Sequence, residues 1–201
     1  MNFLEHIFES LGRHADRPVL QEIYESRIYA VTGRELLALV EQARAFILAA
    51  GLRQGDRCAL FAPNSVRWAA VDLALMAEGI IVVPLYARQS PVELVAMMKD
   101  CTPARICCSD ASLRDAVLQN WPDAPPISLF EDIFGAPPAG ETAPAASVTR
   151  VAPQKSLSLS DSDAVAIIYT SGTSGEPKGV IFTVANLSHM LPCTTLRLDL
   201  L

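Results

Sequence analysis

Apolar positions along the chain change their period several times, and each change marks an element. Near the N-terminus Phe3, Leu4, Ile7, Phe8 and Leu11 recur at helical spacing. Val19 to Tyr24 and Arg27 to Val31 then predict a short hairpin turning at Glu25 and Ser26. Thr32, followed three residues on by Glu35, has the form of a capping box. It opens a helix whose apolar face is Leu36, Leu37, Val40, Ala43, Ile47 and Leu48, ending near Gly51. Arg57 to Phe61 predicts a strand after the Gly55-Asp56 turn, and Asn64 is the expected cap of a helix running to Glu78 with Gly79 as its stop. Ile80 to Val83 is a β-branched run without alternation, the pattern of a strand buried on both faces. Pro91 opens another helix, Ala104 to Cys108 predicts a third buried strand, and Ser112 to Asn120 a further helix. Ala164 to Tyr169 and Gly179 to Phe182 are two more apolar strands, and an apolar helix follows to the end. Strand and helix alternating at this spacing predict an α/β fold, mainly parallel sheet with flanking helices. The pattern dissolves over 134–160, where Pro137, Pro138, Pro144 and Pro153 lie among Ala, Ser and Thr, so that stretch reads as a loop or linker.

Composition narrows this reading. The chain is 51% hydrophobic and 19% charged, with a mean hydropathy of +0.28. That is apolar for a free-standing domain and suits either a membrane span or a slab of a larger protein covered by residues elsewhere. The most apolar stretch, Val71 to Leu85, is interrupted by Asp72, Glu78 and Pro84, short of the roughly 18 clean residues a span needs. No transmembrane segment is expected, and peripheral contact with a membrane stays open. The N-terminus lacks the basic-then-apolar-then-small order of a signal peptide, so a cytoplasmic location is expected. A net charge of −6 without a Lys/Arg stripe excludes nucleic acid as a partner. The five cysteines, Cys58, Cys101, Cys107, Cys108 and Cys193, are odd in number and lack C-x-x-C spacing; reduced, buried thiols are expected, and no metal ligands.

One segment carries chemistry. Tyr169 to Val180 reads Tyr-Thr-Ser-Gly-Thr-Ser-Gly-Glu-Pro-Lys-Gly-Val. Thr170, Ser171, Thr173 and Ser174 supply four hydroxyls within five positions. Gly172 and Gly175 lack Cβ atoms, so the backbone can turn and bring its N–H groups close to a ligand. Lys178 adds a positive point charge. Together these form a concave set of donors suited to phosphate oxygens. A Ser/Gly-rich surface turn is the bland alternative. The flanking apolar strands, the density of hydroxyls and the lysine set directly after Pro177 weigh against it. It is not a Walker A loop, which needs Gly-Lys-Ser/Thr leading into a helix; here Gly179 follows the lysine and a strand comes next.

At these residues the sequence resembles the superfamily of AMP-forming ligases: acyl-CoA synthetases, luciferases and peptide-synthetase adenylation domains. Their signature, Tyr-Thr-Ser-Gly-Thr/Ser-Thr/Ser-Gly-x-Pro-Lys-Gly-Val, is matched at every fixed position from Tyr169 to Val180. Support spreads upstream. Gly55 to Ser65 resembles the family's GDRVAL…PNS stretch, Glu78 to Tyr86 its AGAVVVPL strand, and Thr32 to Gly51 its preceding helix. The resemblance covers nearly the whole chain apart from the Pro/Ala-rich loop, and is closest to long-chain fatty acyl-CoA synthetases. One departure stands out: where the family often continues Thr-His-x-Asn-Leu, this chain has Thr183-Val184-Ala185-Asn186-Leu187. His189 is out of register and reads as a helix-surface histidine.

The resemblance implies the N-terminal portion, 1–201, of the large AMP-binding domain. It implies activation of a carboxylic acid, long-chain fatty in kind, by ATP to an acyl-adenylate, then transfer to coenzyme A. Thr170 to Gly175 would wrap the β- and γ-phosphates of ATP, and Lys178 would offset their charge. The family's Mg²⁺ ligand, its ribose-binding aspartate and its catalytic lysine belong to motifs not found here. The chain is therefore expected to be a piece of a larger enzyme, inactive alone, with no complete catalytic set. Its partners would be the small molecules ATP, a carboxylic acid and coenzyme A. Two alternatives remain: a ligase that loads a carrier-protein thiol, and a non-catalytic nucleotide-binding or interaction fragment.

Overall fold

The structure is a computed structural model that describes residues 2–24, 27–135, 158–171 and 177–198, with backbone alone for Tyr24, Arg27, Ser171 and residues 195–198. Most of the 134–160 loop therefore lies outside the described residues. Fifteen elements run in the order α1 (Phe3–Arg13), β1 (Pro18–Tyr24), β2 (Arg27–Thr32), α2 (Gly33–Ala49), β3 (Arg57–Phe61), α3 (Val66–Ala77), β4 (Ile81–Leu85), α4 (Pro91–Cys101), β5 (Arg105–Cys108), α5 (Ala111–Asn120), β6 (Ile127–Leu129), α6 (Phe130–Phe134), β7 (Ala164–Ser171), β8 (Pro177–Thr183) and α7 (Val184–Leu198). The main sheet has six strands in the order β6-β5-β3-β4-β7-β8; all neighbours are parallel except the edge strand β8, antiparallel to β7. β1 and β2 form a separate antiparallel hairpin.

The central strands explain the layering. Along β3, Cys58 and Leu60 enter one apolar layer while Ala59 and Phe61 enter the other. Val82 and Val83 of β4, and Cys107 and Cys108 of β5, divide in the same way. Because successive side chains point to opposite faces, an unbroken apolar strand needs cover on both sides. Helices α1, α2, α3 and α6 cover one face through Leu11, Leu36, Val40, Ile47, Leu75 and Phe130. Helices α4 and α5 cover the other through Leu94, Met98 and Val117. Each fully buried aliphatic side chain contributes about 1.5–3 kcal/mol.

Helix starts follow the sequence closely, with one-residue shifts at α3 and at α5, which begins at Ala111 after the cap Asp110. The Thr32–Glu35 capping box forms: Glu35 N–H donates to Thr32 Oγ1 (3.3 Å) and Thr32 N–H to Glu35 Oε2 (2.8 Å). Asn64 does not cap α3. Ser65 does, its Oγ accepting from Trp68 N–H at 3.0 Å, and the Glu22 carboxylate of β1 accepts from Val66 N–H. With a second acceptor arriving from the hairpin, the chain enters the helix one residue later. Gly79 ends the helix as expected, at φ +67°, in the left-handed region that a side chain disfavours. Leu48, placed on the apolar face of α2 from its spacing, is 44% exposed; Leu39 and Arg44 occupy the buried face instead. Arg44 is 2% exposed, and its guanidinium donates to Glu78 (2.7 Å) and Glu41 (2.7 Å), joining α2 to the end of α3. The short pair β6 and α6 has no counterpart among the sequence expectations. Cys193 is exposed, contrary to the expected burial of all five thiols, whereas Cys58, Cys101, Cys107 and Cys108 are buried and unbridged.

Among the described residues no helix is long and apolar enough to cross a membrane. Asp72, one of the residues that breaks the Val71–Leu85 stretch, lies partly buried on α3, and burial pushes its carboxyl up to about 7. Between an ordinary carboxylate value near 3.8 and that raised value, the folded chain holds a proton that the unfolded chain releases. Stability should therefore fall as pH rises through this window and flatten above it. Asp72→Asn should remove the dependence and stabilise the chain at pH 8 by roughly 2–4 kcal/mol relative to the native residue. Urea denaturation midpoints at pH 5 and pH 8 measure this; equal pH dependence in both proteins would refute it.

Candidate functional site

The β7–β8 hairpin carries the candidate residues. β7 pairs in parallel with β4 through Val82 and Ala166, so its carboxyl end emerges at the carboxyl ends of the parallel strands, where open α/β sheets bind ligands. β8 returns antiparallel, with the register Ile167↔Ile181, Ile168↔Val180, Tyr169↔Gly179, Thr170↔Lys178 and Ser171↔Pro177. Pro177, lacking an N–H, occupies the first position of an edge strand, where proline is tolerated. Opposed residues share a face, so Thr170 and Lys178 stand side by side, both solvent-exposed, on the face that also carries Ile168 and Val180. Ser171 occupies the next rung. Gly172, Thr173, Ser174 and Gly175 lie outside the described residues. Of the seven candidate residues, then, the fold brings two together as neighbours and sets a third beside them.

The opposite face of the same hairpin holds contacts that spacing did not suggest. The ring of Tyr169 lies over Gly179: a Cβ built there would sit 3.2 Å from Tyr169 Cζ and 2.9 Å from Ile167 Cγ2. The Tyr169 hydroxyl donates to Asp100 Oδ2 at 2.5 Å, near the C-terminus of α4. Burial, and then this hydrogen bond, push the Tyr169 phenol well above its ordinary value. Beyond Asp100, Thr102 caps α4 in the left-handed region at φ 44°. The Arg57 guanidinium, at the start of β3, holds it through the Thr102 carbonyl (3.3 Å) and Oγ1 (2.9 Å). Arg57, Asp100, Thr102, Tyr169, Gly179 and Ile181 line a shallow cavity of about 250 Å³. A tyrosine ten positions before a glycine across a two-strand turn was the available signal for the ring-over-glycine pair. The reach to Asp100 had none.

The remaining reactive groups read as structural. Burial pushes the Cys101 thiol up to about 11 and the Cys108 thiol up to about 12, so neither is a thiolate nucleophile near neutral pH. Cys58 is raised by its contact with Cys107, 3.7 Å away, and by burial. Val184 is fully buried at the start of α7, where Thr183 and Asn186 form a reciprocal cap, Thr183 N–H donating to Asn186 Oδ1 and Asn186 N–H to Thr183 Oγ1. An apolar residue at position 184 thus fills the core. His189 is exposed on α7, as expected. Among the described residues no three His, Cys, Asp or Glu side chains converge as a metal site.

The sequence profile of the AMP-binding enzyme family matches residues 7–198, which is most of the chain. The chain belongs to this family. A long-chain-fatty-acid–CoA ligase of Mycobacterium bovis is 26% identical over 196 residues, covering 94% of this chain and 32% of that protein. A chloroplastic long-chain-fatty-acid–[acyl-carrier-protein] ligase of Arabidopsis thaliana is 24% identical over 203 residues, covering 90% of this chain and 28% of its own length. The fold superposes on the fatty acyl-adenylate ligase of L. pneumophila, a crystal structure holding acyl adenylate and pyrophosphate, with a TM-score of 0.76 at 18% identity, over 95% of this chain and 32% of that one. The chain spans about a third of the length of these relatives. Its α/β architecture is that of the N-terminal subdomain of adenylate-forming enzymes.

The ring-over-glycine contact makes a direct prediction. Gly179→Ala should displace the Tyr169 ring and lower stability by about 1–3 kcal/mol, the usual range for overpacking. A denaturation midpoint indistinguishable from the native value would mean that Ile167 and Tyr169 yield freely.

Proposed function

We propose that the β7–β8 hairpin is the ATP-phosphate-binding element of an AMP-forming acid–thiol ligase. The observation that carries this reading is the Thr170↔Lys178 rung: a hydroxyl-bearing and an ammonium-bearing residue directly opposite one another, flanking a sequence with two glycines and two further hydroxyls. Thr170, Ser171, Gly172, Thr173, Ser174 and Gly175 would cradle the β- and γ-phosphates with side-chain and backbone donors, and Lys178 would offset their negative charge. Hydrogen bonds to charged oxygens contribute about 1.5–3 kcal/mol each. In the first half-reaction a substrate carboxylate oxygen attacks the α-phosphorus in line. The bond to the bridging oxygen breaks, and its electron pair leaves with pyrophosphate. Charge therefore grows on the group that this hairpin would hold, and catalysis of such a step is largely positioning and electrostatics. In the second half-reaction a thiol attacks the acyl carbonyl and AMP departs.

The substrate we infer is a long-chain fatty acid, supported by the likeness to the Mycobacterium bovis ligase, and the acceptor coenzyme A. A carrier-protein thiol is the second reading, favoured by the match to the Arabidopsis thaliana ligase. Mg²⁺ accompanies ATP in this family. Among the described residues no three His, Cys, Asp or Glu side chains come together around a possible metal position. The chain would be the N-terminal portion of the AMP-binding domain, with the Pro/Ala-rich stretch that follows α6 as a loop or linker.

Lys178→Ala should slow adenylate formation by on the order of 10²-fold, and leave the thioester step nearly unchanged, because the phosphates it would contact have left by then. Thr173→Ala and Ser174→Ala should act in the same direction more weakly, each removing a neutral donor. Single-turnover kinetics in the protein as its gene encodes it can start once from ATP plus fatty acid and once from preformed acyl-adenylate plus thiol. Equal slowing of both starts would overturn the phosphate role.

A further inference from the structure

We infer that Tyr169 and Asp100 form a clamp that positions the Thr170–Lys178 rung, making Tyr169 a positioning residue. This rests on the reading of the hairpin as the phosphate site and adds how that site is held. β8 is an edge strand, and its residues Lys178 to Ile181 are solvent-exposed; Ile181 is 60% exposed. Packing on β8 itself therefore does little to fix where the hairpin points. β7 is better held: it pairs with β4 at Ala166, and Ile167 and Tyr169 pack, partly buried, against the apolar layer that α4 covers.

The Tyr169 rung links the exposed edge strand β8 to this support. It is the rung next to Thr170 and Lys178, so any displacement of one displaces the other. The ring lies across both strands, with the close approach to Gly179 that a Cβ would prevent. Its hydroxyl then ties the ribbon to Asp100 of α4. α4 is itself fixed: Leu94, Val95, Met97 and Met98 are buried against the sheet, and Arg57 of β3 grips Thr102 directly after the helix. The path from the central strand β3 through Thr102, Asp100 and Tyr169 to the candidate lysine is continuous, and none of the three residues between its ends needs to touch ATP.

Two readouts test this in the protein as its gene encodes it: amide hydrogen exchange over the β7–β8 hairpin, and affinity for ATP and for inorganic pyrophosphate. Tyr169→Phe keeps the ring over Gly179 and removes only the donor; Asp100→Ala removes the acceptor. Each should speed exchange of the hairpin amides about three- to tenfold, a modest factor because Asp100 is open to water. The double substitution should do no more than either alone, since both remove one bond. Asp100→Asn retains an oxygen that can accept and should restore most of the protection. Amides of β3, β4 and β5 should keep their rates, and affinity for pyrophosphate should fall about three- to tenfold with Tyr169→Phe. Unchanged hairpin exchange, additive single effects, or a loss of protection spread over the whole sheet would overturn the clamp. Faster hairpin exchange with unaltered pyrophosphate affinity would overturn its positioning role. Lys178→Ala, run alongside, separates the two ideas: if it leaves pyrophosphate affinity intact, the phosphate reading fails, whatever the exchange data show.

Discussion

Burial of β3, β4 and β5 on both faces is the constraint from which the rest of the molecule follows. These strands have almost no polar side chains, so both faces must be covered by helices. Each crossover then has to supply a helix, and the chain alternates between layers: α3 on one face of the sheet, α4 on the other. Once both faces are closed, chemistry can reach the sheet only at strand ends and at its edges. The hairpin β7–β8 occupies both kinds of place, at the carboxyl end of a parallel strand and along the open edge.

That location reconciles two opposed needs. A phosphate-binding turn must be exposed and glycine-rich to present its backbone donors, and those properties loosen it. Its supporting strands must be fixed so that the donors meet a ligand in one arrangement. If it is the phosphate-binding element proposed above, the hairpin divides these tasks between its faces. One presents Thr170 and Lys178 to solvent, and the other lays Tyr169 over Gly179 and reaches α4. The buried charge of Arg44 serves architecture. Arg44 is enclosed between Glu41 and Glu78, and breaking such a buried pair from one side costs about 3–5 kcal/mol because the partner charge is left unpaired. Cys101 and Cys108 are likewise core residues, and that burial raises their thiols.

The limits of reading by pattern show in individual residues. Thr32 and Glu35 were legible as a cap because a capping box is a local arrangement within four residues. Asn64 was misread for the opposite reason: Ser65 became the cap while Glu22, distant in sequence, supplied a second acceptor to the same helix end. Leu48 fits the apolar spacing of α2 yet faces solvent, and Arg44 breaks that spacing yet is enclosed, because α3 and its Glu78 define what the helix faces. The strand β6 is three residues long, too short for a period to show, and exists because β5 offers it a free edge.

By itself the sequence determined the local terms of this protein: the runs that become two-sided strands, most helix starts and stops, and the chemical identity of the Tyr169 to Lys178 segment. These depend on side-chain period, φ preference and donor type, all carried by neighbouring residues. Only the tertiary structure decided the register that sets Thr170 opposite Lys178, the glycine that admits the Tyr169 ring, and the helix end that receives its hydroxyl. Asp100 and Tyr169 lie 69 positions apart. A contact of that kind is created by the packing of α4 against the sheet, and no period within either segment encodes it.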